Sequence, residues 1–153
     1  MNNKFKILSE SIKVVNELFG FKKKIDDPVF GEMYDKGNYK YETVKPLIKT
    51  AKIYTNGKPE NFYKQYKLVK SKFGKLYNDA VNGMFKYYQS GQREDFKKLS
   101  ISDIKKFKLT AIVFQTSNPI SFILYFDQPE KIDPEHDINC RFDKNGKLLE
   151  ITN

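Results

Sequence analysis

The sequence predicts a single α+β domain: a mostly antiparallel sheet packed by one long amphipathic helix at about residues 60–88, with an N-terminal helix beside it. Three observations predict it. Apolar residues recur at helical spacing in two stretches, residues 4–20 and 60–88. After Phe107 they instead alternate or run in short blocks, as strands do. Turn-forming residues such as Ser117-Asn118-Pro119 and Asn145-Gly146 separate those blocks. A chain of 153 residues has the length of one domain and can bury about two thirds of its unfolded surface.

The N-terminal helix rests on Phe5, Leu8, Ile12, Val15 and Phe19, which form one stripe, and Gly20 supplies a stop. Ile7, Val14 and Phe21 lie on another side, so this helix is expected to be covered on two faces. In "DPVFGEMYDKGNYKYETV", Asp35-Lys36-Gly37-Asn38 reads as the turn of a hairpin between strands at about 28–34 and 39–44. A third strand, about 47–54, ends at Asn56-Gly57. Pro59 then sits where a first-turn proline belongs.

The long helix has the clearest pattern. Phe62, Tyr66, Val69, Phe73, Leu76, Tyr77, Ala80, Met84 and Tyr87 fall within about 100° at 100° per residue. The phase holds across Gly74 and Gly83, so one helix is expected, with a bend at a glycine allowed. Lys64, Lys67, Lys70, Lys72, Lys75 and Lys86 spread over the rest of the circumference, as on a solvated face. "QSGQREDFKKLSISDIKKF" reads as a polar link with a short helical turn around Ser102–Phe107. Strands are then expected at about 108–115, 120–127, 137–143 and 147–152, the last two joined by a two-residue turn at Asn145-Gly146. In "DINCRFD" the alternation sets Ile138, Cys140 and Phe142 on one side, which makes Cys140 a small core residue.

The formal net charge is +9, which invites an anionic partner. Yet only Arg93 and Arg141 are arginine among 28 basic residues, and the guanidinium fork is what phosphate and guanine recognition favours. The abundance of Lys, Asn, Ile, Phe and Tyr also matches A/T-rich codons. Nucleic acid is therefore the less favoured partner. The charge is uneven: residues 1–119 carry 24 basic and 12 acidic side chains, and residues 120–153 carry 4 and 7. Such polarity steers an oriented encounter. One cysteine cannot make an internal disulfide. No apolar run approaches the roughly 20 residues of a membrane helix, and Lys4 and Lys6 are followed by no leader-like apolar region. A cytoplasmic location without a membrane span is expected.

There is no Gly-rich phosphate loop, CxxC pair or HExxH motif. The single histidine and single cysteine cannot build a His-rich zinc centre, and the reading calls for no metal and no cofactor. The histidine lies in "DPEHD", residues 133–137. Asp133 can start a turn over Pro134, leaving Glu135, His136 and Asp137 as the polar lead-in to a strand. There His136 shares the side of Ile138, while Glu135 and Asp137 point the other way. That geometry disfavours a compact three-ligand metal site. Tyr39, Tyr41 and Tyr54 lie outside the helix stripe and can anchor an interface, although cross-strand packing is the simpler role.

"DPVFGEMYD", the helix end "FKYYQ" and "DPEHDINCRFDKNGKLLEI" together resemble an uncharacterised family of small bacterial α+β proteins over roughly residues 27–153. That family's C-terminal signature reads Asp-x-Glu-His-Gly before a strand and hairpin; here Asp137 stands at the glycine position. The resemblance implies an antiparallel sheet and a likeness in size and style to the immunity proteins encoded beside polymorphic toxins. It carries over no catalytic residue. The leading expectation is a non-enzymatic bacterial binding protein, an immunity-type partner of a toxin, with Glu135, His136, Asp137, Tyr39, Tyr41 and Tyr54 as candidate binding residues. The alternatives are a basic protein that binds nucleic acid or an anionic surface, and a hydrolase using Glu135, His136 and Asp137.

Overall fold

Among the described residues, seven strands form one sheet whose spatial order is the chain order: β1 (Lys23–Asp27), β2 (Gly31–Glu42), β3 (Ile48–Asn56), β4 (Lys108–Phe114), β5 (Phe122–Asp127), β6 (Asp137–Phe142) and β7 (Leu148–Thr152). The computed structural model describes residues 23–27, 31–42, 48–57, 59–128 and 137–153. Neighbouring strands are antiparallel except β3 and β4, which run parallel from Lys52↔Ala111 to Thr55↔Phe114. Parallel neighbours cannot be joined by a hairpin. The crossover between them carries every described helix: a 3-10 turn at Pro59–Phe62, then α1 (Tyr63–Ser90), α2 (Glu94–Lys97) and α3 (Ile101–Ile104). The expected α+β class, with a long helix on a mostly antiparallel sheet, is what the chain adopts. The N-terminal helix expected at 4–20 lies outside the described residues.

α1 forms because its apolar residues recur at helical spacing, and it packs because that stripe meets rings from the sheet. Tyr66, Val69, Leu76, Tyr77, Ala80, Val81, Met84 and Tyr88 are buried on it. They close over Ile53, Ile112, Phe114, Phe122, Leu124, Phe126, Ile138, Cys140 and Phe142. Phe122 and Phe142 are register partners on β5 and β6, and their rings stack 5.0 Å apart at 6°. Fully burying a side chain of this size stabilises by about 1.5–3 kcal/mol. Cys140 is a core residue, as expected, and burial pushes its thiol pKa up. The lysines at 64, 67, 70, 72, 75 and 86 are exposed.

The helix is not straight. Lys72 leaves helical geometry at φ −120° and ψ 20°, two residues before Gly74 and not at the glycine itself. Phe73 and Tyr87 are only half-buried, while Val81 and Tyr88 take full core positions. The uninterrupted wheel placed Phe73 and Tyr87 in the core and passed over the other two. Gly83 marks where α1 comes closest to β7: a methyl there would fall 2.5 Å from Leu148 Cδ2 and 2.7 Å from Ile151 Cδ1. Gly74 has nothing within 4 Å of the same position. α3 is short but well started, because Ser100 Oγ accepts from Asp103 N–H while Asp103 Oδ2 accepts from Ser100 N–H.

Two turn assignments need correction. Asp35-Lys36-Gly37-Asn38 does not separate two strands; it lies inside β2, where the register with β3 slips between Asp35 and Gly37. A glycine within a strand suits a bulge as well as a turn. The chain instead reverses between Asp27 and Gly31, which are register partners. The β6–β7 connection is also one residue longer than a two-residue turn. Gly146 N–H donates to Asp143 O and Asp143 N–H to Lys147 O, enclosing Lys144–Gly146 with Gly146 at φ +81°. Asp143 Oδ1 adds bonds from the N–H groups of Asn145 and Lys147, at 2.8 and 2.9 Å. The remaining expected strands appear within two residues of their expected ends.

Candidate functional site

Strand alternation divides the side chains between two faces. The face away from α1 carries Lys52 and Tyr54 on β3, Ala111 and Val113 on β4, Ile123, Tyr125 and Asp127 on β5, Asp137, Asn139 and Arg141 on β6, and Glu150 and Thr152 on β7. Register sets these in rows. Tyr54, Val113, Ile123, Arg141 and Glu150 make one row, and Lys52, Ala111, Tyr125, Asn139 and Thr152 the next. Val113 and Ile123 are 3% and 1% exposed. Around them the rows turn polar. Arg141 Nη1 lies 3.3 Å from Glu150 Oε1, and Asn139 Oδ1, Thr152 Oγ1 and Arg141 Nε are buried without a hydrogen-bonding partner among the described residues.

Glu135 and His136 lie outside the described residues. Asp137 is exposed and is the first residue of β6. Its register partner is Asp127. Burial, followed by the hydrogen bond and the charge of Asp127, raises the Asp137 carboxyl above its ordinary pKa. Tyr39 and Tyr41 are on β2 opposite Ala51 and Lys49, whereas Tyr54 is in the alternate row, opposite Asp35 and Val113. Tyr54 therefore does not share the register row of Tyr39 or that of Tyr41. Among the described residues no group of three His, Cys, Asp or Glu is placed to hold a metal ion, and no helix is long and apolar enough to cross a membrane.

A concavity lies elsewhere among the described residues, where α1 ends and α2 begins. It encloses about 440 Å³ between Tyr87, Tyr88, Gln92, Arg93, Phe96 and Asn153, among others. That falls within the usual range for pockets that take small molecules or partner side chains. Gly91, the C-cap of α1, leaves the helix with extended backbone, and its N–H donates to Tyr88 O. The chain then turns back so that Phe96 meets Tyr88 edge-on, with ring centroids 5.0 Å apart. Tyr88 also touches Tyr87 and Phe107 edge-on, at 5.6 and 6.0 Å. Its hydroxyl donates to Gln128 Oε1, and Gln128 Nε2 donates to Asn153 Oδ1 at 3.4 Å. This chain of bonds ties the cleft wall to the ends of β5 and β7.

Arg93 is the charged member. Its guanidinium carbon sits 3.8 Å from the centre of the Phe96 ring. Its Nε and Nη2 donate to the two carboxylate oxygens of Asp95, at 3.2 and 2.8 Å. The bond from Arg93 is the leading cause that holds the Asp95 carboxyl below its ordinary pKa. Stacking and the fork fix the plane of a side chain that is still 53% exposed. A fixed cationic plane beside tyrosine rings presents a planar surface on which a partner's planar side chain can stack without covalent chemistry. Sequence reasoning passed over this cleft, treating residues 89–107 as a polar link and Tyr87 as core. The available signal was one of only two arginines in a lysine-rich chain, placed three residues before a phenylalanine.

Compared with known proteins, the chain matches no family model, no curated protein and no solved structure.

Proposed function

We propose that this chain is a non-enzymatic bacterial binding protein of the immunity type, whose partner is an acidic region of a toxin. The observation that carries the reading is the cleft at Arg93. Arginine and tyrosine are the side chains that most often dominate binding energy at protein interfaces, and here a pre-oriented guanidinium stands beside Tyr87, Tyr88 and Phe96. Pre-orientation lowers the entropy lost on binding. The net charge of +9 favours an acidic partner by steering. The likeness of "DPVFGEMYD" and "DPEHDINCRFDKNGKLLEI" to small bacterial proteins in the style of immunity proteins supports the same reading.

The test uses the product of a toxin-like reading frame adjacent to this gene. Titration calorimetry should give 1:1 binding, and co-expression should relieve growth inhibition by that product. Arg93→Ala should weaken binding by about tenfold or more while the circular dichroism spectrum stays unchanged. Failure to bind that protein, together with binding to RNA or DNA whose logarithm falls steeply with the logarithm of salt, would replace this reading with an anion-binding one.

A further inference from the structure

We infer, resting on the docking role proposed for the cleft at Arg93, that the group it receives is an uncharged aromatic side chain of the partner and not a carboxylate or phosphate. Among the described residues that line the cleft, Arg93 alone has a charged side chain. That charge is already answered. Its Nε and Nη2 donate to the two carboxylate oxygens of Asp95, which is the forked geometry a carboxylate ligand would need. Asp95 is two residues away on the same chain, so it competes with a free anion at high effective concentration. Glu94 adds a second carboxylate at the start of α2, itself met by Lys97 Nζ at 3.5 Å. Residues 93–97 thus carry two positive and two negative side chains and no net charge.

What remains on offer in the cleft is ring surface. The guanidinium carbon of Arg93 sits over the Phe96 ring. Phe96 meets Tyr88 edge-on, and Tyr88 meets Tyr87 edge-on. The Tyr88 hydroxyl is engaged with Gln128 Oε1, so Tyr88 contributes its ring more than its polar tip. Aromatic rings have negative faces and positive edges, and a guanidinium attracts the face of a ring. An incoming ring can turn its face to Arg93 and its edge to a tyrosine. A carboxylate in the same place would meet ring faces of its own sign and the Asp95 carboxylate. The net charge of +9 still draws an acidic partner near, over a range of about 8–10 Å in physiological salt. Selection at contact is a separate matter, and here the rings set it.

NMR titration of the full chain with N-acetyltryptophanamide, acetate and inorganic phosphate tests this. The neutral amide should give saturable shifts at the Arg93 Nε–H and at the Phe96 and Tyr87 ring protons, with a dissociation constant on the order of millimolar. Acetate and phosphate should bind there at least about tenfold more weakly. Between about 0.05 and 0.5 M salt the affinity for the amide should change by less than about twofold, because no ion pair forms on binding. R93K keeps the charge and loses the plane, so it should weaken amide binding by about threefold or more. D95N removes the competing carboxylate and should tighten acetate binding by about threefold or more. Circular dichroism checks that each variant is folded, and where one is not, the wild-type comparison of amide with anions decides. No saturable shift with the amide, anions that bind as tightly as the amide, or R93K and D95N variants that behave as the wild type overturns the inference. These probes need no partner protein. A toxin that binds through Arg93 while the amide does not would sink the aromatic anchor and leave the immunity reading standing.

Discussion

The two faces of the sheet obey different rules. Toward α1, β5 and β6 present Phe122, Leu124, Phe126, Ile138, Cys140 and Phe142, all buried and fitted to the helix by shape. On the other face the same two strands present Ile123, Tyr125, Asp127, Asp137, Asn139 and Arg141. There only Ile123 is fully buried, beside the buried Val113 of β4, and the other neighbours are polar or charged. Packing dominates the first face and electrostatics the second. An isolated exposed ion pair contributes about 0–1 kcal/mol, whereas removing a buried ring costs several times that. The larger share of the buried rings thus lies toward α1, although Val113 and Ile123 are buried on the other face as well.

The largest expected effect separates the faces directly. Phe122→Ala removes a ring stacked on Phe142 and in contact with Phe114, and should cost about 3–5 kcal/mol in urea unfolding. Glu150→Ala, which removes the partner of Arg141 on the opposite face, should cost at most about 1 kcal/mol. Equal losses would mean that the second face carries packing energy its rows do not suggest.

Two glycines in α1 sharpen the contrast at smaller magnitude. At Gly74 an added methyl meets nothing, so Gly74→Ala should gain about 1 kcal/mol from helix propensity. At Gly83 the same methyl collides with Leu148 and Ile151. Overpacking costs about 1–3 kcal/mol and outweighs that gain, so Gly83→Ala should lower stability by about 1 kcal/mol. Chemical denaturation midpoints of the two variants should therefore move in opposite directions. Movement in the same direction would show that β7 can yield at its contact with the helix.

The same division explains how much was legible in the sequence. Helix and strand periods report burial, so α1 and strands β4 to β7 could be read from residue spacing. The bulge at Asp35–Gly37 could not, because glycine beside aspartate and asparagine encodes a tight turn and a strand irregularity alike. Phe73 and Tyr87 are half-buried while Val81 and Tyr88 are core, a difference set by what packs against each, which the helical period alone does not announce. The cleft was hidden for another reason. It joins Tyr87 and Tyr88 to Arg93 and Phe96 across a helix end, and to Asn153 from far along the chain. A local period does not encode such a meeting.

The smallest expected effect lies within one strand and its turn. Asp137 and Asp143 flank β6 and are shifted in opposite directions. Three backbone N–H groups, led by that of Lys147, stabilise the Asp143 carboxylate and lower its pKa. Burial and then Asp127 disfavour the Asp137 carboxylate and raise its pKa. A raised carboxyl pKa means that the folded state holds the proton more tightly than the unfolded state does. The Asp137 contribution is therefore fully present below the ordinary aspartate pKa of about 4, and it is lost as pH climbs through the raised folded value. For Asp143 the contribution is present above the ordinary value and lost as pH falls through the lowered one. Asp137→Asn should then be more stable than the wild type at about pH 7, with the gap closing toward about pH 3. Asp143→Asn should be the less stable protein at about pH 7, and its deficit should also shrink in acid. Urea midpoints across that range, with carboxyl NMR titration of both residues, read the two slopes separately. If Asp137→Asn brought no gain at neutral pH, the repulsion across Asp127 and Asp137 would be screened by solvent. This end of the outer face would then carry its charges at no cost to the fold.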